Sequence, residues 1–263
     1  MHTYHQNADL EQVAIWCAHN KMVVNSDKTK VMLITTYQKE IKLERSNLKV
    51  TYKGSALENV KSEKLLGVVI DKHLTWKEHI DKTCKSINRN IALLRRIRKY
   101  LSHTTRLTFY KAYIQTHIDY CNTIWGLSPH VKRVHILQKN ALRLIMDVPR
   151  LTHSAPLFKQ CKVMPIHQRV QYRSAVMMYK MLNDLTPAYM TELVQRQSNV
   201  SSRRTRYGQN NTLYIPNVKL CVSRRALRYN SAVAYNSLDI DIQNSGTLNT
   251  FKYKAYKSFM ESF

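Results

Sequence analysis

Hydrophobic and polar positions divide the chain into a short mixed region and a long helical one. Near the amino end Leu10, Val13, Ala14 and Cys17 recur at the three- and four-residue spacing of one helix face, with Asn7 as N-cap and His19-Asn20 as the end. Residues 21–24 and 31–36 are β-rich runs separated by the turn-forming Asn25-Ser26-Asp27, and 48–52 runs into Lys53-Gly54-Ser55, a hairpin signal. Leu65-Leu66-Gly67-Val68-Val69-Ile70-Asp71 is the most strand-like segment. From about Thr75 the period changes. Ile80, Cys84, Ile87, Ile91 and Leu94 recur alternately four and three apart, which predicts a long amphipathic helix with Lys82, Lys85, Arg89, Arg95 and Arg96 beside its apolar stripe.

Further helices are predicted over 104–118, over 129–146 with Ser128 as cap and Pro129 at the first position, and over 165–185, stopped by Pro187. Residues 197–211 have no apolar period and read as a basic linker. Beyond it the pattern predicts a strand at 213–218 and helices at 224–238 and 247–259, the last with Leu248, Phe251, Ala255 and Phe259 on one side. The expected fold class is α+β, predominantly α. A small partial sheet over 1–74 precedes a helical array over 75–196, and a tail region over 212–263 follows the linker.

Composition narrows the function classes. Only 5 Gly and 6 Pro argue against a turn-dense all-β fold, and neither GxGxxG nor GxxxxGK[ST] occurs, which disfavours dinucleotide and P-loop enzymes. Hydrophobic residues, at 44%, are enough for a core. The formal net charge is +25, and no Asp or Glu falls between Asp81 and Asp119, between Asp147 and Asp184, or between Glu192 and Asp239. Such a chain repels itself unless a polyanion neutralises it. Cations spread along helices rather than packed in one tract point to nucleic acid and away from a membrane anchor. The five cysteines are widely spaced with no CxxC pair, which predicts free thiols in a reducing compartment, nuclear or cytoplasmic rather than secreted. His117 with Cys121 and His153 with Cys161 fall short of the four ligands of a structural zinc.

Three segments in fixed order carry a resemblance. WCAHNKMVVNSDKTKVMLI, from Trp16 to Ile34, is similar to the motif D region of a reverse-transcriptase palm. KLLGVVID, from Lys64 to Asp71, followed by LTWKEHI from Leu74 to Ile80, resembles motif E and its continuation into the thumb. Then come YKAYIQTHIDYC from Tyr110 to Cys121, Trp125-Gly126, LQKNALRL from Leu137 to Leu144 and YNSL from Tyr235 to Leu238. Together they resemble the carboxy-terminal part of a reverse transcriptase from a non-LTR, Jockey-like retrotransposon.

That resemblance implies a partial palm over 1–74, a thumb and connection over 75–196 and a tail. It makes Lys28 the motif D general-acid candidate, with Lys30 as the neighbour that would lower its pKa. It sets Lys64, Leu65, Leu66 and Gly67 against the primer strand, with Gly67 permitting close backbone approach; a buried strand is the alternative reading of the same residues. It gives Lys82, Lys85, Arg89, Arg95, Arg96, Arg98 and Lys99 the phosphates of an RNA–DNA hybrid, although a charge run on a helix is more often only a solvated face. Tyr100, Tyr110, Tyr113 and Tyr120 are candidates for base stacking or, more simply, for the edge of the core.

The family's two-metal chemistry needs an early Asp and an F/Y-A-D-D turn, and this sequence has no adjacent Asp pair. Asp71 and Asp119 stand isolated, and Asp239-Ile-Asp241 lies far downstream. The expectation is a truncated polymerase that is inactive alone and needs no cofactor; Mg²⁺ is expected only for a full-length polymerase. RNA, DNA or their hybrid is the expected partner, with self-association through an exposed sheet edge and no membrane. Two alternatives stay open: a domesticated RNA-binding or scaffold protein, or part of a longer active polymerase whose start lies upstream of Met1.

Overall fold

The computed structural model describes residues 2–43, 50–197 and 212–263; the side chains of 2–6, 42 and 43 are outside that description. The basic linker, from 198 onward, and residues 48–49 of the predicted hairpin arm therefore lie outside the described residues. The chain forms two compact units, Met1–His79 and Ile80–Phe263. The fold is α+β and predominantly α.

In the first unit, helix α1 (His2–His19) ends where the pattern predicted. It starts earlier, so Asn7 is no cap: its side-chain oxygen accepts the Thr51 N–H at 3.2 Å. Residues 21–24 form no strand. Asn25 instead caps a single 3-10 turn, Ser26–Lys28, by accepting the Lys28 N–H. The second predicted strand shrinks to β1 (Lys30–Val31), which pairs in parallel with β4 (Glu58–Asn59). Helix α2 (Tyr37–Leu43), which the pattern missed, is tied down by Glu40, whose carboxylate receives Lys72 and His73.

Two hairpins follow from two pairs of residues at positive φ. β2 (Thr51–Tyr52) and β3 (Ser55–Ala56) turn through Lys53 and Gly54 at φ 48° and 81°. β5 (Ser62–Leu65) and β6 (Val68–Asp71) turn through Leu66 and Gly67 at φ 46° and 87°. Left-handed backbone at both central residues is the requirement of a type I′ turn, whose twist matches that of the strands. The segment 65–71 is thus a hairpin tip and its second strand, and not one strand. Gly67 serves the turn. A continuous apolar run hid it, because Leu-Gly lacks the Asn or Asp that usually announces this turn.

Past β6 the Asp71 carboxylate accepts the N–H groups of His73, Thr75 and Trp76, at 3.2, 2.9 and 2.7 Å. This holds a loop in which Leu74 and Trp76 have positive φ. His79 Nδ1 accepts the Val69 N–H at 3.3 Å, so Asp71, Trp76 and His79 of the motif E-like block act as local architecture.

The second unit grows from α3 (Lys77–Ile97). Ile80, Cys84, Ile87, Ile91 and Leu94 are all buried, so the period read from sequence is the one the fold uses. Then α4 (His103–Phe109), a π-helical segment (Tyr110–Gln115) and α5 (Thr116–Asp119) run on as one rod, close to the predicted 104–118. α6 (Asn122–Trp125) begins after Cys121 at φ 50°. α7 (Lys132–Met146) follows a 3-10 turn started by Ser128, whose hydroxyl accepts the His130 N–H, and Pro129. α8 (Ser154–Gln160) leads to α9 (Ile166–Leu182) and then to the short α10 (Ala188–Thr191).

A buried Gln138 ties three of these pieces together. Its amide nitrogen donates to the Tyr110 hydroxyl and to the Met164 carbonyl, and its oxygen accepts the Ile166 N–H, each at 3.0 Å. Asp119, isolated in the sequence, receives Arg169 through two N–H groups, while Arg173 donates to its carbonyl at 2.7 Å. Gly126 lets α6 approach α9: a Cβ there would sit 2.4 Å from both the Asn122 carbonyl oxygen and Val170.

The carboxy-terminal segment packs on α9. The predicted strand at 213–218 reduces to one bridge between Arg196 and Leu213. Asn236 fixes Leu213 by accepting its N–H and donating to its carbonyl, at 3.0 and 2.9 Å. The predicted helix at 224–238 divides into α11 (Cys221–Arg224) and α12 (Leu227–Asn236); α13 (Ile240–Gln243) and α14 (Leu248–Glu261) complete the chain. Phe251, Ala255 and Phe259 bury against Tyr179, Met178, Tyr235 and Leu238, and Phe251 stacks on Tyr179 at 4.3 Å between ring centres.

Candidate nucleic-acid interface

Burying one stripe of α3 dictates what the other side can be. At 100° per residue, Lys82, Lys85, Arg89 and Arg96 fall within one narrow sector opposite Ile80, Ile87 and Ile91. All four are exposed. Among the described residues only Arg89 of these spends an N–H, on Ser86 at 3.2 Å. The fourteen steps from Lys82 to Arg96 give the stripe a length of about 21 Å at ~1.5 Å per residue. The acids near the start of the helix are engaged elsewhere: Glu78 accepts the Ser62 hydroxyl at 2.8 Å and Asp81 pairs with Arg133.

The remaining sequence-predicted cations divide. Lys99 is exposed in the 3-10 turn that ends α3, whereas Arg98 in that turn is half-buried and bound to Asp147 at 2.7 Å. Arg95 points off the stripe into a cleft of about 550 Å³, which it lines with Arg98, Asn140, Arg143, Leu144 and Arg150. Arg143 and Arg150 were not singled out from the sequence. Nothing local marks them; they reach the end of α3 only because α7 folds back beside it.

In the first unit Lys64 lies on β5, and Leu65 and Leu66 stand out at the hairpin tip, 60% and 84% exposed. The alternative of a buried strand is therefore wrong for these two leucines, while Val68 and Val69 beyond the turn are buried. Lys28 is exposed at the end of its 3-10 turn. Lys30, expected to act on it, has its ammonium 3.7 and 3.4 Å from Glu58 and Glu63.

Of the tyrosines, Tyr110 is fully buried and its hydroxyl is taken by Gln138, so it stacks on no base. Burial pushes its phenol well above the ordinary range. Tyr100, Tyr113 and Tyr120 are exposed. Among the described residues no group of three or more His, Cys, Asp or Glu side chains could hold a metal ion, so the carboxylates present do not fit a two-metal site. All five cysteines are free thiols. No helix among the described residues is long and apolar enough to cross a membrane.

A predominantly helical chain with a long basic amphipathic helix is what the resemblance to a mobile-element reverse transcriptase implied. Known proteins agree with it. The chain is similar to the probable RNA-directed DNA polymerase from transposon X-element of Drosophila melanogaster, 27% identical over 117 residues, which is 43% of this chain and 13% of the relative. It is 26% identical over 127 residues to the RNA-directed DNA polymerase from mobile element jockey of Drosophila funebris, covering 46% of this chain and 14% of that protein. It is 24% identical over 166 residues to the probable RNA-directed DNA polymerase from transposon BS of Drosophila melanogaster, covering 61% and 18%. The chain thus spans less than a fifth of the length of these curated relatives. No family model matches the chain, and no solved structure matches it.

Proposed function

We propose that this chain grips RNA, DNA or an RNA–DNA hybrid along the outer face of α3, as the thumb of a retrotransposon polymerase would. The observation that carries the proposal is the stripe of Lys82, Lys85, Arg89 and Arg96 set opposite the buried stripe of the same helix. A solvated face normally mixes charge signs; this one runs the length of the helix beyond Asp81 without a carboxylate. Phosphate contacts of this kind position a strand without reading its sequence. The exposed tip at Leu65, Leu66 and Gly67, with Lys64 beside it, is the second element of the reading and would meet the primer backbone.

We further propose that the chain alone does not polymerise. The described residues offer no converging carboxylates, so no metal-dependent step is derived for it; a role for Lys28 as general acid belongs to a longer polymerase carrying those groups. Self-association is part of the same proposal. The parallel pair β1–β4 is a sheet of two short strands with open edges, and α1 exposes Val13, Ile15 and Trp16.

Binding of an RNA–DNA hybrid, measured across a salt series, tests the grip. Replacing Lys82, Lys85 and Arg89 by Gln is expected to lower the slope of log affinity against log salt by about 2–3. Wild-type binding that is indifferent to salt would sink the proposal. Primer extension on an RNA template in Mg²⁺ buffer tests the second claim, and incorporation above background would refute it.

A further inference from the structure

The cleft between the end of α3 and the end of α7 is a built site of a different kind from the open stripe. Its walls are fixed by Arg106, which does not line the cleft, together with Arg98 and part of Arg143, which do. Arg106 Nε donates to the Arg98 and Leu101 carbonyls, both at 3.0 Å, and its Nη1 donates to the Ile145 carbonyl at 3.2 Å, which pins the turn after α3 to the last turn of α7. Asp147, in the left-handed conformation at the α7 C-cap, adds the 2.7 Å bond from Arg98 and a 3.9 Å approach to Arg106. Arg143 is held by its Nε on the Thr152 carbonyl, at 3.0 Å, and by one N–H on the Asn140 side chain, at 3.2 Å. A guanidinium has five N–H donors, so three of Arg143's remain for whatever enters the cleft.

Four arginines line this space, and among the described residues only Arg98 has a carboxylate partner. Two helix C-termini with their partial negative charge account for some attraction of cations here. They do not account for Arg150, which follows α7 and is exposed with no described partner, nor for Arg95, whose side chain sits in the cleft. Asn140, Leu144, Val148 and Pro149 supply the remaining wall, and among the described residues no aromatic ring lines it on which a base would stack. What it offers is planar, forked donors from several directions. That is the recognition chemistry of a phosphate.

We infer that this cleft captures one backbone phosphate of the nucleic-acid strand that lies on α3, with Arg95, Arg143 and Arg150 as its ligands. Arg95 and the last stripe residue, Arg96, are neighbours on the same helix, so a strand running down the stripe arrives at the cleft mouth. The inference rests on the grip proposed above and adds to it a fixed end point off the stripe. An open stripe of flexible cations lets a strand slide; a cleft with fixed walls and one held arginine, Arg143, sets where along the helix a phosphate stops.

The test is arginine footprinting with phenylglyoxal on the full chain, read by mass spectrometry, with binding followed in parallel by fluorescence anisotropy. The probe is a labelled single-stranded oligonucleotide, with a methylphosphonate version of the same sequence and inorganic phosphate as the other arms. The phosphodiester strand is expected to slow modification of Arg95 and Arg150 several-fold and the neutral strand is not. Arg150→Gln is expected to weaken binding at low salt and to lower the salt slope by about 0.7, the increment of one phosphate on a single strand. If the strand binds but Arg95 and Arg150 react at their free rate, the cleft assignment is overturned and the α3 grip survives. Equal protection by inorganic phosphate at matched phosphate concentration would make the cleft a free-anion site and overturn the strand assignment. No anisotropy change at low salt would overturn the grip itself, and the cleft assignment with it.

Discussion

Gln138 stands in LQKNALRL, a string that resemblance alone would treat as a family signature, and its role is architectural. Its amide satisfies the Tyr110 hydroxyl, the Met164 carbonyl and the Ile166 N–H inside the core. Gln138→Leu keeps the volume and leaves those groups unpaired, at about 1–3 kcal/mol for each buried group stranded. The expected result is a loss of several kcal/mol in urea-induced unfolding, and near-wild-type stability would contradict the network. His135, on the same helix, titrates unusually: burial, then Lys139 and His167, lower its pKa from 6.5 to about 4. The folded chain therefore resists protonation that the unfolded chain accepts. Stability from this group is complete above about pH 6.5 and is lost as pH falls toward 4. Unfolding midpoints measured over that window should decline, and His135→Phe should flatten the decline; an identical pH profile in the variant would exclude His135 as its source.

At the scale of elements, helices with a strict period were legible, and so was the Lys53-Gly54 turn, whereas the second hairpin turn was not. The α3 stripe was read correctly because the 3.6-residue repeat is a local property, and one buried face forces the opposite face outward. The Leu66-Gly67 turn was misread because two flanking strands with apolar residues present one uninterrupted apolar run. Strands at 21–24 and 213–218 failed for another reason: β propensity becomes a strand only where a partner strand is available. Trp125-Gly126 shows the reverse, a motif whose reason appears only in packing. Trp125 is fully buried and donates its indole N–H to the Tyr120 carbonyl at 2.8 Å, while Gly126 lies where a methyl group would strike the Asn122 carbonyl oxygen and Val170. Gly126→Ala is expected to cost about 1–3 kcal/mol through forced separation of α6 and α9. Denaturant titration checks this, and an unaffected midpoint would mean the helices part without cost.

At the scale of the whole molecule, a net charge of +25 is an energetic burden carried by the folded state. Ten ion pairs join described residues, and several of them, such as Asp119 with Arg169 and Arg173, serve to hold helices together and leave the α3 stripe uncompensated. Added NaCl should therefore raise the thermal midpoint by screening self-repulsion, and a polyanion should raise it more at equal ionic strength. A midpoint indifferent to both would contradict the burden and weaken the case for a polyanionic partner. The exposed apolar residues of α1 belong to this scale too. A light-scattering mass that stays monomeric at high concentration would refute the proposed self-association.

Sequence by itself determined the charge, the predominantly helical class, the long basic helix with its buried and exposed faces, and the family to which the motifs point. These rest on local periodicity and on composition, which need no knowledge of what lies nearby in space. Only the tertiary structure decided that Tyr110 is core, that Asp71 and Asp119 hold loops and helices and stand alone in neither case, and that Arg143 and Arg150 join Arg95 in one cleft. Those outcomes depend on which distant residues the packing of α7 and α9 brings together. Residues far apart in the chain carry no mark of that proximity until the helices have packed.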